Sequence, residues 1–491
     1  MHENIGKLLK DYECNNSNIL LNYQDQYLSH KGLEIQSNKV ANFFLSKGIS
    51  KGDRIGICMK NSIELIYMVF GILKIGAIYV PIDSSKKVVQ IDFILSFTEA
   101  KLIVSDNDYV LEQIGSENDV EKLLINNNFL SIIDKYDNFF SDYKNISQCD
   151  PAYIIFTSGT TGEPKGITMS HGSIIRFTLD VVKRFKHSSS DRTICRTPAS
   201  FDPFLTEILP SIVSGGKIYL QNRDASLLGL LKLVQNKKIT NFGCGPSLFH
   251  LMVQSENIVK RFDLSSLKEI YFGYEKMSIN LLRRVQMLLP EVKFINGYGT
   301  SETFAATTYY VCTAESNEVF IGEPIESATI FLWNEKEKRI CVDGEIGEIV
   351  ISGSTLMKGY WNNYNLTREV IIDNPLDSSK KAFFTKDFGI YIGGNIKFMG
   401  RKDSQIKING HRINLEEIRE AIYLFNDIKE AIVYMKGHKL VCEYNRFSEV
   451  ETYSDIKAFL VNIIEDRKIP SQWIYRNEFD RNTNTKIISP T

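Results

Sequence analysis

A ten-residue segment rich in glycine and hydroxyl groups constrains this chain more than any other feature. Residues 157–166 read Thr-Ser-Gly-Thr-Thr-Gly-Glu-Pro-Lys-Gly. Glycine lets a backbone approach a ligand closely, and successive N–H groups together with hydroxyls can surround phosphate oxygens. The apolar runs at 153–156 and 167–169 predict a buried strand on each side of the segment. We therefore predict a loop between two strands that binds the phosphates of a nucleotide.

Two other interpretations of this loop explain less of it. A P-loop requires Gly-x-x-x-x-Gly-Lys-Ser/Thr at the start of a helix, and the interval from Gly159 to Lys165 has neither that spacing nor that position. A polar surface hairpin is the second interpretation, but a hairpin turn needs far fewer residues. Nucleotide binding is the interpretation that uses the whole segment.

The composition excludes several classes of protein. At 491 residues the chain is too long for one hydrophobic core and should form two or more domains. The formal net charge of −1 gives no attraction to nucleic acid or to an anionic membrane, so we expect neither as a partner. No apolar run is long enough for a transmembrane helix, and the first residues lack the pattern of a secretion signal. The eight cysteines are scattered without a Cys-x-x-Cys pair, which favours reduced core thiols in a cytoplasmic protein.

Hydrophobic periodicity in the first half of the chain predicts an α/β architecture. Helical patterns at 32–46 and 62–75 alternate with strand patterns at 54–59 and 79–82. Strands separated by helices form largely parallel sheets with helices on their faces. We therefore predict a large N-terminal domain of parallel and mixed sheets over residues 1–402.

The pattern changes twice later in the chain. Short β-like pieces broken by glycine lie at 344–351, 382–384 and 389–391. Strand patterns follow at 405–408, 428–434 and 440–444, and helical patterns at 415–425 and 450–464. We predict a β-rich subdomain at about 320–400 and a separate small α+β domain over residues 404–491.

Six further segments accompany the glycine-rich loop in a characteristic order. They are residues 73–83 (Leu-Lys-Ile-Gly-Ala-Ile-Tyr-Val-Pro-Ile-Asp), 296–303 (Asn-Gly-Tyr-Gly-Thr-Ser-Glu-Thr), 347–349 with 358–362, 385–387 (Thr-Lys-Asp), 400–413 and 484–486 (Asn-Thr-Lys). Together they resemble the core motifs of the adenylate-forming superfamily, which includes acyl-CoA synthetases, luciferases and the adenylation domains of nonribosomal peptide synthetases. The resemblance covers essentially the whole chain, and its motifs are those of amino-acid adenylation domains.

The resemblance implies ATP and Mg²⁺ as cofactors and assigns the residues that bind them. Glu302 would hold Mg²⁺, since a carboxylate is the hard oxygen ligand that this ion prefers. Tyr298 would stack on adenine, while Asp387, assisted by Arg401, would accept both ribose hydroxyls. Lys486 would bridge the substrate carboxylate and the α-phosphate. The implied catalytic residues are Lys486, Glu302 and Lys165, and the implied nucleotide-binding residues are Thr157, Ser158, Gly159, Thr160, Thr161, Gly162, Lys165, Gly297, Tyr298, Gly299, Thr300, Ser301, Asp387 and Arg401.

Taken singly, these residues have simpler interpretations. Glu302 alone could be a carboxylate at a helix start, and Asp387 alone a turn residue. Their neighbouring motifs favour the functional assignment. Asp403 falls between the two predicted domains, where this superfamily has a hinge that lets the small domain rotate between adenylation and thioester formation. The alternative for Asp403 is an ordinary linker acid.

The resemblance also implies a substrate pocket around Asp202, in the sequence Ser-Phe-Asp-Pro-Phe at 200–204. Amino-acid-activating members carry an acid here that pairs with the α-ammonium of the substrate. A carboxylate in a pocket is costly to desolvate unless a cation arrives, so Asp202 predicts an amino acid; the alternative is a turn acid before proline. The other implied pocket residues are Pro203, Thr206, Gly243, Tyr271, Gly273, Gly297, Ala305 and Ala306. Small residues, one aromatic wall and no second charge predict a roomy pocket for a neutral side chain.

The expected function is ATP-dependent activation of an amino acid to aminoacyl-AMP, followed by transfer to a phosphopantetheine thiol. The sequence shows no carrier-protein motif, so we expect a free-standing ligase, or an excised domain, that loads a carrier protein supplied separately. A small activator protein is a further partner that the resemblance allows. The alternatives are an acyl- or aryl-CoA ligase, a D-alanyl carrier-protein ligase and a non-catalytic nucleotide-binding scaffold.

Lys386 and Thr485 each replace a glycine that the superfamily usually has. These two replacements are the only hint of a non-catalytic scaffold. Both are tolerable if the backbone φ angle at each position is negative.

Overall fold

The computed structural model describes most of the chain. The described residues are 3–12, 19–24, 26–84, 86, 88–115, 120–141, 145–158, 164–222, 225–273, 275–401, 405–408, 411–436, 439–448, 451–464 and 468–479. Gly159, Thr160, Thr161 and Gly162 of the predicted phosphate loop, the predicted hinge Asp403 and the predicted catalytic Lys486 lie outside them, as does Thr485.

The described residues form fifteen α-helices. They are α1 (Ile5–Asp11), α2 (His30–Ser46), α3 (Ile63–Lys74), α4 (Val88–Thr98), α5 (Asp108–Gln113), α6 (Asn127–Ile133), α7 (His171–Phe185), α8 (Pro203–Ser214), α9 (Leu227–Lys237), α10 (Pro246–Gln254), α11 (Glu256–Val259), α12 (Ile279–Leu288), α13 (Tyr364–Val370), α14 (Leu415–Tyr423) and α15 (Ser454–Val461). Serine caps begin several of them; the Ser62 hydroxyl, for example, accepts from the N–H of Leu65 at the start of α3. No helix in the described part of the chain is both long and apolar enough to cross a membrane.

The same residues form twenty-seven β-strands. They are β1 (Ile19–Tyr23), β2 (Gln26–Ser29), β3 (Arg54–Cys58), β4 (Ile78–Pro81), β5 (Leu102–Ser105), β6 (Glu121–Leu124), β7 (Pro151–Ser158), β8 (Pro164–Ser170), β9 (Arg192–Cys195), β10 (Lys217–Leu220), β11 (Asn241–Cys244), β12 (Glu269–Phe272), β13 (Lys293–Gly299), β14 (Ala306–Cys312), β15 (Glu323–Pro324), β16 (Ala328–Asn334), β17 (Arg339–Ile340), β18 (Ile346–Gly353), β19 (Gly359–Tyr360), β20 (Ile371–Asn374), β21 (Asp377–Ile392), β22 (Asn395–Arg401), β23 (Gln405–Ile408), β24 (His411–Asn414), β25 (Ile428–Lys436), β26 (Lys439–Arg446) and β27 (Gln472–Tyr475).

Two large mixed sheets build the first three hundred or so residues. One has the order β15-β14-β13-β12-β11-β9-β10-β1-β2, and the other has the order β19-β8-β7-β4-β3-β5-β6. Most of their central strands are parallel, as in the pairs β11·β12 and β3·β4. The pairs β13·β14, β1·β2 and β8·β19 toward the edges are antiparallel, whereas the edge strand β6 is parallel to β5. Buried apolar side chains of strands and helices form one large cluster and two smaller ones. The predicted α/β fold of mixed sheets and helices is therefore confirmed.

A six-stranded antiparallel sheet follows, formed by β16, β17, β18, β20, β21 and β22. The sequence predicted two separate short pieces at 382–384 and 389–391, and this prediction is wrong. Both belong to the single long strand β21, whose pairing shifts register three times: between Glu348 and Val350 of β18, between Asp373 and Asn374 of β20, and between Phe388 and Gly389 beside β22. Such β-bulges let a strand pass through local irregularity without ending.

The residues after 414 pack around a hydrophobic cluster of their own. Ile418, Ile422 and Tyr444 are among its fully buried side chains. An ion pair between Lys276 and Glu420 of α14 connects this part to the rest of the protein. The ring of Phe447 lies nearby, with its centroid 5.2 Å from the guanidinium carbon of Arg284. The separate core agrees with a small C-terminal domain, whose exact boundary stays a prediction.

Seven cysteines lie in the described part of the chain. None of these seven forms a disulfide, and six are buried. Cys149 is exposed, so the expectation that all the thiols lie in the core is wrong for this residue.

A buried ion pair joins α2 to α3. The fully buried Nζ of Lys74 donates to Glu34 Oε2 at 2.6 Å and to Asn38 Oδ1 at 2.6 Å. The two helices approach closely beside it, because a Cβ added at Gly71 would lie 2.3 Å from Cγ1 of Val40. An apolar helix face can carry a lysine here only because its charge is paired and hydrogen-bonded.

We expect Lys74→Met to lower the free energy of unfolding by about 3–5 kcal/mol, because it leaves the Glu34 carboxylate buried without its cation. The double substitution Lys74→Met with Glu34→Leu should recover most of that loss, since both charges are then gone. Urea unfolding of the three proteins measures this. Lys47→Met is the control, because the Lys47–Glu121 pair is solvent-exposed and should contribute less than about 1 kcal/mol. Equal losses at positions 74 and 47 would contradict the prediction.

Candidate active site

Two cavities meet at the carboxyl end of β13. The larger, of about 900 Å³, lies between this strand end, the six-stranded sheet and helix α14. The smaller, of about 150 Å³, lies between α8 and the ends of β11, β12 and β13. Gly297 and Gly299 line both cavities. Crevices at the carboxyl ends of parallel strands are common ligand sites in α/β proteins.

At Gly297 and Gly299 the strand end that separates the two cavities has no side chain, and other segments pack closely against it. A Cβ at Gly299 would lie 1.8 Å from the carbonyl oxygen of Ala305, and one at Gly273 would lie 2.6 Å from that of Gly297. The chain then turns back through the short 3₁₀ segment Ser301–Thr303. Phe304 and Ala305 follow with φ angles of 57° and 60°. Left-handed backbone at non-glycine residues is a strained feature that often marks functional sites.

Asp387 sits at the back of the larger cavity and is held on both oxygens. The Tyr298 hydroxyl donates to Oδ2 at 2.8 Å, and Arg401 Nη1 donates to Oδ1 at 2.9 Å. Burial raises the pKa of Asp387 to about 6, with a smaller contribution from the charges of Glu302 and Glu348, and against the lowering effect of Arg401 and Tyr298. Each carboxylate oxygen can accept a further hydrogen bond, so the geometry fits a ligand with neighbouring hydroxyls.

The ring of Tyr298 is fixed at the wall of the same cavity. Its centroid lies 5.8 Å from that of Phe398 at an interplanar angle of 42°, and its hydroxyl is bound by Asp387. Because both ends are held, the ring has a defined orientation at the cavity. Stacking on adenine stays a prediction for this residue.

Glu302 lies on the 3₁₀ segment, at the opposite side of the larger cavity. The hydroxyl of Tyr360 donates to Glu302 Oε1 at 2.8 Å, and the N–H of Met357 donates to the Glu302 carbonyl at 2.7 Å. The Nζ of Lys165 lies 5.8 Å from the centroid of the Tyr360 ring, within reach of a cation–π contact. Tyr360 therefore contacts both Glu302 and Lys165. The sequence did not predict this role, even though Gly359 and Tyr360 belong to a recognised motif.

The donor set suits Mg²⁺ held jointly with phosphate. Among the described residues no group of three or more His, Cys, Asp or Glu side chains could enclose a metal ion. Mg²⁺ bound with a nucleotide uses one or two carboxylates, phosphate oxygens and waters, so a closed protein cage is not required. Glu302, oriented through Oε1, is the residue that would hold the ion.

The structure brings most of the predicted nucleotide-binding residues to the larger cavity. Those that line it are Thr157, Lys165, Gly297, Tyr298, Gly299, Thr300, Ser301, Glu302, Asp387 and Arg401. Ser158 is the last residue of β7, next to the undescribed part of the loop. Lys386 also lines the cavity, and its φ is 62°, so the condition of a negative φ is not met at this position.

The structure brings all nine predicted pocket residues to the smaller cavity. They are Asp202, Pro203, Thr206, Gly243, Tyr271, Gly273, Gly297, Ala305 and Ala306. Two expectations about its walls are wrong. Phe177, Phe272 and Tyr309 add further aromatic walls, and Glu207 adds a second acid. These residues were missed because the motif comparison marks single positions. Glu207, Phe272 and Tyr309 lie on elements that also carry predicted pocket residues, whereas Phe177 lies on α7, which carries none.

Asp202 lies directly before Pro203, the first residue of α8. The pKa of Asp202 is raised to about 6, chiefly by burial and to a smaller extent by the charge of Glu302. The Ser301 hydroxyl and the N–H of Ala305 bind the carboxylate and oppose this rise. Ser301 thus joins the acid of the smaller cavity to the segment that carries Glu302. A buried carboxylate with a raised pKa is stabilised by an incoming cation.

Comparison with known proteins decides the family. The family model of the AMP-binding enzymes matches residues 11–361. The chain belongs to the AMP-binding enzyme family. This AMP-binding enzyme is 30% identical over 477 residues to gramicidin S synthase 2 of Brevibacillus brevis, covering 95% of this chain and 10% of that protein. It is 28% identical over 468 residues to tyrocidine synthase 2 of Brevibacillus parabrevis, covering 92% of this chain and 13% of that protein. The chain thus spans about a tenth of the length of these relatives.

Solved structures of similar AMP-binding enzymes share its fold. Klebsiella oxytoca NpsA in complex with 3-hydroxyanthranilyl-AMSN superposes with a TM-score of 0.88 at 22% identity, covering 99% of this chain and 98% of that one. ATP-bound MatB from Rhodopseudomonas palustris gives 0.89 at 19% identity, covering 99% and 97%. NpsA-ThdA, an artificial fusion of an adenylation domain and a PCP, gives 0.74 at 23% identity, covering 96% and 94%. The predicted membership of the adenylate-forming superfamily is confirmed.

We expect Tyr360→Phe to weaken binding of ATP with Mg²⁺ by about 10-fold, because loss of a group that orients a metal ligand commonly has an effect of this size. Binding of ATP without Mg²⁺ should change little, since the ring beside Lys165 is kept. Calorimetric titration with and without Mg²⁺ measures both affinities. Tyr364→Phe is the control, because Tyr364 is 71% exposed. Equal weakening with and without the ion would contradict the assignment of Glu302.

We expect Asp202→Asn to stabilise the protein without substrate by about 2–3 kcal/mol at pH 7. The pKa of about 6 in the folded state lies above the ordinary value of 3.8, so unfolding releases a proton between about pH 4 and pH 6. The Asp202 carboxyl therefore stabilises the wild type below about pH 4. This stabilisation is lost as the pH rises from about 4 to about 6. Urea unfolding at about pH 4 and pH 7 should show an advantage of the variant at pH 7 alone. An advantage of the same size at both pH values would contradict the raised pKa.

Proposed function

We propose that this chain uses ATP to convert an amino acid into aminoacyl-AMP with release of pyrophosphate, and then transfers it to the phosphopantetheine thiol of a separate carrier protein. The observation that carries the proposal is Asp202, a half-buried residue of the smaller cavity whose carboxylate has a raised pKa. An α-ammonium is the cation that an amino acid offers to this carboxylate.

The two cavities match the two reactants of the first step. The larger one has room for ATP and presents the oriented Asp387 and Glu302. The smaller one presents Asp202 only a hydrogen bond away from the segment that carries Glu302. An amino acid paired with Asp202 would have its carboxylate near the strand end that both cavities share, where it could reach the α-phosphate.

Cations are needed because the reacting groups are anions. The substrate carboxylate attacks the α-phosphorus, and pyrophosphate leaves. Lys165 supplies one positive charge at the larger cavity, and Mg²⁺ bound by Glu302 would neutralise phosphate charge when present. We propose that Lys486 adds a cation between carboxylate and phosphate. Asp387 with Arg401 would hold the ribose.

For the second step we propose two domains, residues 1–402 and 404–491, which rotate about Asp403. The separate hydrophobic cluster of residues after 414 supports this division. The relatives gramicidin S synthase 2 and tyrocidine synthase 2, and the solved adenylation–PCP fusion, support a carrier protein as the partner. The thiol attacks the acyl carbon of aminoacyl-AMP, and AMP leaves as the thioester forms.

An aryl-acid ligase is the second candidate, favoured by the aromatic walls of the smaller cavity. NpsA was solved in complex with a 3-hydroxyanthranilyl compound, and a further solved structure with a TM-score of 0.87 at 19% identity is an anthranilate CoA ligase with anthranoyl-AMP. A cavity of about 150 Å³ can hold one aromatic ring. Asp202 favours the amino acid, because an α-ammonium is a cation near pH 7. The arylamine of an anthranilate-type acid is uncharged there, and an acid without any amine leaves this carboxylate unpaired.

Pyrophosphate release driven by each amino acid, and by aryl and acyl acids, tests the proposal. With the best amino acid we expect Asp202→Ala to lower kcat/KM by roughly two to four decades, because it leaves the α-ammonium buried and unpaired. The deaminated acid of the same shape should be a poor substrate of the wild type and should lose little in the variant. The four measurements form a double-mutant cycle with the amine as one partner. A coupling energy near zero would assign the chain to the aryl- or acyl-activating branch.

A further inference from the structure

A second buried carboxylate, Glu207, borders the smaller cavity. It lies on α8, five residues after Asp202, which is about 7.5 Å farther along the axis at the usual helical rise. Its side chain is 8% exposed. The two acids therefore stand at different depths of the same cavity. The proposed function uses Asp202 and leaves Glu207 without a role.

Backbone and hydroxyl groups of residues 196 and 197 already donate hydrogen bonds to the Glu207 carboxylate. Its Oε2 accepts from the N–H groups of Arg196 at 2.9 Å and Thr197 at 3.1 Å, and its Oε1 accepts from the Thr197 hydroxyl at 2.7 Å. The Cys195 thiol, a weak donor, is close to the same group. An ionised carboxylate offers about four acceptor positions, so Oε1 keeps capacity for one further strong donor.

Gly243 leaves that oxygen accessible from the cavity. A Cβ added at Gly243 would lie 3.3 Å from Glu207 Oε1, so any larger residue would stand between the carboxylate and the cavity. Burial raises the pKa of Glu207, against the lowering effect of its hydrogen bonds to Thr197 and Arg196. Oε1 already accepts from the Thr197 hydroxyl and faces the cavity with one acceptor position to spare.

The other polar groups of this wall bind one another. Ser211 Oγ donates to Thr193 Oγ1 at 3.3 Å, and Thr193 Oγ1 donates to Asn241 Oδ1 at 2.7 Å. Asn241 Nδ2 in turn donates to Thr240 Oγ1 at 3.1 Å. Among these groups, Glu207 is the charged acceptor that borders the cavity.

We propose that Glu207, through the opening at Gly243, selects amino acids whose side chain ends in a hydrogen-bond donor: a hydroxyl, an amide or an ammonium group. The inference rests on the proposed function, in which Asp202 holds the α-ammonium in the same cavity. A substrate that ends in a methyl or phenyl group leaves the spare acceptor position of Glu207 Oε1 desolvated and unfilled. A site with a buried acceptor discriminates strongly against such analogues.

Pairs of amino acids that differ only at the side-chain end test this selection. Suitable pairs are tyrosine with phenylalanine, threonine with valine, glutamine with glutamate, and ornithine with norleucine. In pyrophosphate exchange we expect the donor-bearing member of the pair that fits to be preferred by roughly 10–100-fold in kcat/KM. The pair that responds also identifies the donor, because ornithine carries a charge whereas tyrosine and threonine carry a neutral hydroxyl.

Glu207→Gln should reduce this preference to about parity. The amide oxygen can keep the two N–H groups of Arg196 and Thr197, while its NH₂ replaces Oε1 and turns a donor toward the cavity. Gly243→Ala is a second variant, which closes the opening and should reduce activity with the donor-bearing member more than with its partner. Ser211→Ala is the matched control, one turn farther along α8 and bonded to Thr193 instead; the preference should survive it.

The outcomes separate this inference from the function on which it rests. If Glu207→Gln folds and keeps the wild-type preference, Glu207 merely braces the backbone at Arg196 and Thr197, and the inference fails. If the wild type activates amino acids but treats both members of every pair alike, the inference fails and the proposed function stands. If it activates only acids that lack an amine, the proposed function fails and the inference fails with it.

Discussion

The close backbone approach at the end of β13 is the constraint on which both cavities depend. No side chain fits at Gly299, because the carbonyl of Ala305 occupies the place of its Cβ. The returning chain keeps left-handed backbone at Phe304 and Ala305. Phe304 is fully buried, with its ring centroid 5.0 Å from that of Phe177 in an edge-on contact. Packing of this ring stabilises a strained turn. The turn places Ser301 against Asp202 and Glu302 against Tyr360.

Acidic groups dominate the electrostatics of the site. Asp202 and Asp387 both have pKa values raised to about 6, chiefly by burial, and the charge of Glu302 contributes to both shifts. Glu302 therefore links the two cavities through its field as well as through the chain. A cation at Glu302 would ease ionisation of both neighbours, so occupancy of one cavity favours the charged form of the acid in the other. Such coupling suits a reaction that must assemble several anions in one place.

Local patterns in the sequence predicted the elements well where packing follows periodicity. The helix expected at 62–75 is observed as Ile63–Lys74, and the strand expected at 153–156 as part of Pro151–Ser158. The two pieces expected within β21 were wrong, since a bulge interrupts the alternation of side chains without interrupting the strand. Lys386 has a left-handed backbone angle where the pairing of β21 with β18 shifts register, so the condition of a negative φ for this replacement of glycine is not met.

Motif comparison predicted those site residues whose position in the chain carries the signal. All nine pocket residues that it predicted line the smaller cavity. It did not predict Glu207 of α8, whose access to the cavity depends on Gly243 of β11. It likewise did not assign Tyr360, which reaches Glu302 across 58 positions of sequence. Contacts of this kind arise from tertiary packing, so no local pattern announces them.

The glycines at the shared strand end also set the limits within which this cavity can be reshaped. At Gly299 a Cβ would meet the carbonyl oxygen of Ala305, so replacement disturbs the turn before it changes the fit. Helix α8 is different, because it lines the cavity with side chains such as Thr206 and Glu207. Substitutions that alter the accepted ligand are therefore compatible with folding on the α8 side of the cavity and incompatible with folding at Gly299.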